Sequence, residues 1–142
     1  MHHTLKSPLT LDSSPNLQQH DAEQLRQDIK NYFLQTFNCY ESLFECLTEQ
    51  GFYHKAIALR HPLIFYYGHT ATFFVNKLLL AKLIPERVDP HFEALFAIGV
   101  DEMSWDDLDD RHYAWPSIQA VHAYRQKVKA LVLHLIDTQP LQ

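Results

Sequence analysis

Glycine is scarce: three residues in a chain of 142. That scarcity excludes a phosphate-cradling loop, a dinucleotide fingerprint and a nucleophile elbow, all of which need glycine where backbone must come close or turn sharply. Cysteine is scarcer still, Cys39 and Cys46 only. On one straight helix their Cα atoms stand about 10 Å apart, too far for a disulfide. They read as buried thiols in a reducing compartment. Positive charge is also short, with 12 Lys and Arg against 17 Asp and Glu and a net charge of −5. No basic cluster is present to neutralise several phosphates, which argues against a nucleic-acid partner. The N-terminus is polar and lacks the apolar run of a secretory leader, so cytoplasm is the expected location. Metal-ligand spacings of the local zinc type, and an HxxxH pair on a helix, are absent as well.

What is abundant is core material. Apolar residues make up 46% of the chain, aromatics 13% and charged residues 20%, an ordinary globular balance for one domain. Residues 1–20 are polar with scattered Ser and Pro and read as a flexible arm. No function is attached to His2 or His3. From Asp21 the pattern changes. Leu25, Ile29, Tyr32, Phe33, Phe37, Tyr40, Leu43, Phe44 and Leu47 recur at three- and four-residue steps. This spacing predicts a long amphipathic helix ending near Gly51, with Asp21 as N-cap and Gln24 at the capping-box position. Such an aromatic stripe is core by default.

After a short connection, Phe52 to Arg60, comes the longest apolar run, Arg60 to Leu83. Pro62 suits a first helical position, and no proline follows until Pro85. A helix of about twenty residues is roughly 30 Å long, long enough for a bilayer. Arg60, His69, Asn76, Lys77 and Lys82 interrupt it, so it reads as a buried core helix and not a membrane span. Between Ile84 and Trp115 one short helix is expected, His91 to Phe96. The acidic stretch Asp101 to Asp110 reads as a solvated turn, with Phe96, Met103, Trp105 and Leu108 as apolar anchors that predict order. A last helix is capped by Ser117. It buries Val121, Tyr124, Val128, Leu131 and Leu135, leaves Arg125, Lys127 and Lys129 off that face, and ends near Asp137.

Three long helices and a long crossover define an all-α, up-and-down bundle with one member missing. His69 is the single candidate site residue. Thr72 and Asn76 share its face, Phe65 lies one turn before it, and Gly68 clears bulk beside it. A mid-helix glycine costs about 1 kcal/mol relative to Ala, which a close approach would offset. The bland alternative is that Thr70, Thr72, Asn76 and Lys77, spread over roughly 160° around His69, are simply the solvent stripe.

The run RHPLIFYYGHTATFFVNKLLLAKLI, together with FEALFAIGVDEMSWDDL and YAWPS…VHAYR, resembles the N-terminal part of the ovothiol-forming 5-histidylcysteine sulfoxide synthases. The resemblance spans about Ala22 to Ile136, and GHT recurs more loosely across DinB-like four-helix domains. It implies a DinB-like bundle carrying a non-haem iron on three histidines. One of these, in the GHT context, maps onto His69; the other two belong to an HxxxHxE motif on a later helix. It further implies oxygen-dependent joining of cysteine sulfur to a histidine imidazole carbon, with cysteine and histidine as substrates.

The chain departs from that pattern at its end. No HxxxHxE is present, and His122 and His134 do not reproduce it. The expectation is therefore an incomplete DinB-like domain over residues 21–142, an N-terminal fragment inactive alone and binding no iron without the remainder of the synthase. The alternative is a non-catalytic helical module that completes its bundle with a second copy or another protein.

Overall fold

The computed structural model describes residue 11, residues 13–99 and residues 114–141. Among these, every regular element is helical: α1 Ala22–Phe44, α2 Glu49–Tyr53, α3 Leu63–Leu80, α4 Pro90–Leu95 and α5 Ile118–Thr138. No described helix is long and apolar enough to cross a membrane. The expected anchors Met103, Trp105 and Leu108, and the acidic stretch Asp101 to Asp110, lie outside the described residues.

The contacts fall into two clusters. The first holds the chain up to Glu45 and from Leu133 onward. Asp21 caps α1 as expected, its carboxylate accepting from the N–H groups of Glu23 and Gln24. Gln24 does not close a capping box; its side-chain amide donates to Asp28 at 2.8 Å. Leu25, Phe33 and Phe37 are buried, with the two phenylalanine rings 5.4 Å apart. The Arg26 guanidinium donates to the carbonyl oxygens of Ile136 and Gln139, satisfying acceptors that the end of α5 leaves open. Lys30 meets Asp137 at 3.1 Å, an exposed pair contributing little.

Two expectations for this stretch are corrected. The helix does not run to Gly51. It stops at Phe44, and Thr48 caps a separate α2 by accepting from the Gly51 N–H. Leu43, counted in the apolar stripe, is 63% exposed, and Cys46 lies exposed beyond the helix, so it is not a buried thiol on a face shared with Cys39.

The second cluster, residues 46–132, is built around α3. Pro62 is the N-cap and not the first helical residue. The other end closes as a Schellman motif: Leu83 N–H bonds to Leu78 O at 2.9 Å and Lys82 N–H to Leu79 O at 3.0 Å. Lys82 takes the left-handed conformation, φ 58°, that glycine normally supplies there. Ile64, Phe65, Ala71 and Val75 are fully buried. α4 lies one residue earlier than expected, with Asp89 accepting from Phe92 N–H and Pro90 in the first position. Ser117 caps α5 as expected, its hydroxyl accepting from Ala120 N–H at 3.1 Å.

The reading of Arg125 as an off-face charge is overturned: it is 0% exposed. Its Nη1 donates to the Tyr67 carbonyl at 2.7 Å and to the Thr70 hydroxyl at 2.5 Å. Its guanidinium carbon stands 4.8 Å from the centroid of the Tyr67 ring. A planar cation can enter a core in this way because carbonyls, a hydroxyl and a π face replace its water.

Candidate functional site

His69 sits half-buried in the second turn of α3. Its Nδ1 lies 2.7 Å from the backbone oxygen of Phe96, the residue that ends α4. A carbonyl can only accept, so Nδ1 carries the proton. In the neutral ring the lone pair is therefore on Nε2. This is the arrangement by which a backbone carbonyl orients a metal-binding imidazole.

The glycine before it explains how Phe96 gets so close. A Cβ on Gly68 would stand 2.6 Å from three atoms of the Phe96 ring, a separation that packed atoms do not reach. The close approach anticipated beside Gly68 is thus made by Phe96 itself. Gly68 admits the ring while His69 takes the carbonyl of the same residue.

A second histidine repeats the pattern, and sequence reasoning missed it. His61 is 3% exposed, and its Nε2 lies 3.0 Å from the Ile98 carbonyl oxygen. Its ring lies 4.1 Å from that of Phe65, whose ring runs nearly parallel (10°) to that of His69 at 5.4 Å. His61, Phe65 and His69 form a column at four-residue intervals. The signal was legible as H-x3-F-x3-H: Phe65 and His69 stack as side chains four apart on a helix do, and His61, the residue before the N-cap, extends the column.

The polar arc around His69 is a solvent stripe only at Lys77, which is exposed; Thr70 and Asn76 are half-buried. Thr72 is 0% exposed, and its hydroxyl lies 3.3 Å from that of Tyr124. Tyr124 in turn donates to Glu93 Oε2 at 2.8 Å. The buried Glu93 carboxylate also accepts from Val88 N–H at 3.0 Å and Asp89 N–H at 2.8 Å. These bonds fasten the entry of α4 to α5. Burial raises the pKa of Tyr124 well above the ordinary phenol value of 10.0. Its hydrogen bond to Thr72 works against that rise, while the Glu93 carboxylate adds to it.

His122 Nδ1 meets the Tyr67 hydroxyl at 2.8 Å. Tyr67 is two residues before His69, about 200° around the helix, so it serves the opposite face of α3. His134 is exposed and belongs to the first cluster. Among the described residues no group of three or more His, Cys, Asp or Glu is placed to hold a metal ion. The described site therefore offers two carbonyl-oriented imidazoles, His69 and His61, each against the Phe65 ring, with no third ligand beside them, and iron held by three ligands does not fit it as it stands.

The DinB superfamily model matches residues 32–141, and the chain belongs to that superfamily. No curated protein matches the chain.

Proposed function

We propose that this chain is the DinB-type portion of a non-haem iron sulfoxide synthase of the ovothiol-forming kind, supplying His69 as one iron ligand. The observation that carries the reading is the His69–Phe96 bond, which occupies Nδ1 and leaves the lone pair of a half-buried imidazole on Nε2. Iron in such enzymes supplies the oxygen activation that joins cysteine sulfur to a histidine ring. No step of that chemistry is assigned to this chain, whose described residues contribute one ligand and not three. Its own part is to hold the imidazole rigidly, in one tautomer, against a column of aromatic rings. The remaining ligands then come from another segment or another chain.

The test uses anaerobic Fe(II), with Co(II) as a paramagnetic probe read by NMR. Expected are weak binding with line broadening centred on the His69 ring, loss of that broadening in His69→Ala, and no stoichiometric iron after desalting. Retention of one tight, His69-dependent iron per chain overturns the single-ligand reading. Broadening that ignores His69 overturns its role as a ligand.

A second reading, a non-catalytic module that completes its bundle with a second copy or another protein, is favoured by the outer side of α3. Phe73 is 51% exposed and Leu80 77% exposed, and both share the helix face of His69. Apolar surface of this kind marks association sites. A folded monomer by light scattering, with no dye-binding apolar surface, counts against it.

A further inference from the structure

Between the second half of α3 and α4 lies an open cleft of about 570 Å³, within the size range of small-molecule sites. Its walls are apolar: Leu79, Leu80, Pro90, Ala94 and Ala97. Asn76, Arg87 and Glu93 supply its polar groups. What those three have left to offer decides what the cleft can take.

Glu93 has little. Its Oε1 accepts from Val88 N–H, and its Oε2 accepts from Asp89 N–H and the Tyr124 hydroxyl. The Asn76 carbonyl oxygen is taken by Arg87 Nη1 at 2.9 Å, which fixes the amide so that its NH₂ is the unused end. Arg87 is half-exposed, and its Nη1 stands 4.0 Å from Glu93 Oε1, a loose pairing. Among the described residues, neither the Asn76 amide hydrogens nor Arg87 Nε and Nη2 have a protein acceptor. Among the described residues, the side-chain groups of the cleft left without a partner are thus the Asn76 and Arg87 donors, and Arg87 carries positive charge.

We propose that this cleft binds a small organic carboxylate with an apolar body. The carboxylate would accept from the Arg87 guanidinium and the Asn76 amide, and its hydrocarbon would lie along Leu79, Leu80, Ala94 and Ala97. A planar monoanion matches a single guanidinium fork. A phosphate dianion matches it poorly, because the Glu93 charge already offsets part of the Arg87 field. The 77% exposure of Leu80 is then the uncovered wall of a ligand site. This site does not depend on the iron reading, since it uses neither His69 nor any metal.

The probe is hexanoate, titrated into the ¹⁵N-labelled full chain, with hexan-1-ol and inorganic phosphate alongside. Saturable shifts are expected at the Asn76 side-chain amide, Arg87 Nε–H and the backbone of Ala94 and Ala97. Arg87→Gln should weaken hexanoate by about tenfold or more, the loss that goes with a charge-assisted hydrogen bond. Hexan-1-ol should bind at least as weakly as that variant binds hexanoate. Ala94→Leu, which fills the cleft and leaves Arg87 in place, should abolish the shifts, while His69→Ala should leave them unchanged. No saturation up to about 10 mM hexanoate, equal binding of hexan-1-ol, or an Arg87→Gln chain that binds normally overturns the proposal. Phosphate competing as well as hexanoate overturns the choice of carboxylate.

Discussion

Replacing Gly68 by alanine sets two effects of opposite sign against each other. In an unobstructed helix interior, Gly→Ala stabilises by about 1 kcal/mol. Here the new methyl would sit 2.6 Å from Cγ, Cδ2 and Cε2 of Phe96. Ordinary contact needs roughly 3.5–4.0 Å, so ring and helix must part by about 1 Å. Phe96 is 0% exposed, and its ring is packed against those of Phe65, Phe92 and Trp115. Overpacking of this kind costs about 1–3 kcal/mol. Moving Phe96 also stretches the bond from its carbonyl to His69, worth about 0.5–1.5 kcal/mol. The balance is a net loss of about 1–3 kcal/mol. Urea unfolding measures it as a lower midpoint at unchanged slope. NMR of the His69 ring should show the Nδ1–H tautomer giving way to a mixture. In a Phe96→Ala background the obstruction is gone, so the same substitution should become neutral or stabilising, a coupling that a double-mutant cycle isolates. A Gly68→Ala chain as stable as the parent, with His69 unchanged, would refute the idea that this glycine is there for Phe96.

Two further outcomes follow from the same cluster. Lys82→Gly relieves a left-handed lysine at the end of α3 and should stabilise by about 0.5–1 kcal/mol after the added freedom of the unfolded chain is counted; an unchanged or lower urea midpoint contradicts the motif. Tyr124 keeps its proton in the folded chain above the phenol value of 10.0, whereas the unfolded chain loses it there. Stability contributed by this raised pKa is fully present below pH 10 and should fall above it, by up to about 1.4 kcal/mol per pH unit. Tyr124→Phe should flatten that fall, at a loss of about 1–3 kcal/mol near neutrality from the bond withdrawn from buried Glu93; an equally steep alkaline decline in the variant assigns it to another group.

The long helices were legible because their signals are local: a carboxylate or hydroxyl before an apolar periodic run, as at Asp21 and Ser117, and a proline at the head of α3. The break after Phe44 was not. Leu43, Phe44 and Leu47 keep the helical period across it, and periodicity carries no mark where the backbone turns. Thr48 was the available sign, a capping residue followed by Glu49. Arg125 was misplaced for a different reason. Its charge puts it outside by default, and the Tyr67 carbonyl, the Thr70 hydroxyl and the Tyr67 ring that receive it lie more than fifty residues away in sequence. At the candidate site, Gly68 and His69 stood out by themselves. Their shared partner did not, because a backbone carbonyl leaves no trace in a sequence. His61 was overlooked although it stands four residues before Phe65.

Helix α3 binds different neighbours on different sides: Gly68, His69 and Thr72 engage Phe96 and Tyr124, while the Tyr67 carbonyl and Thr70 receive Arg125. Each added or lost residue inside a helix turns everything beyond it by about 100°. A single insertion between Leu63 and Tyr67 would therefore hand the glycine's place to a tyrosine and point the imidazole away from its carbonyl. The exposed connection at Ala56 to Arg60 has no such partners to exchange. Length variation among natural relatives should collect there and stop at Pro62.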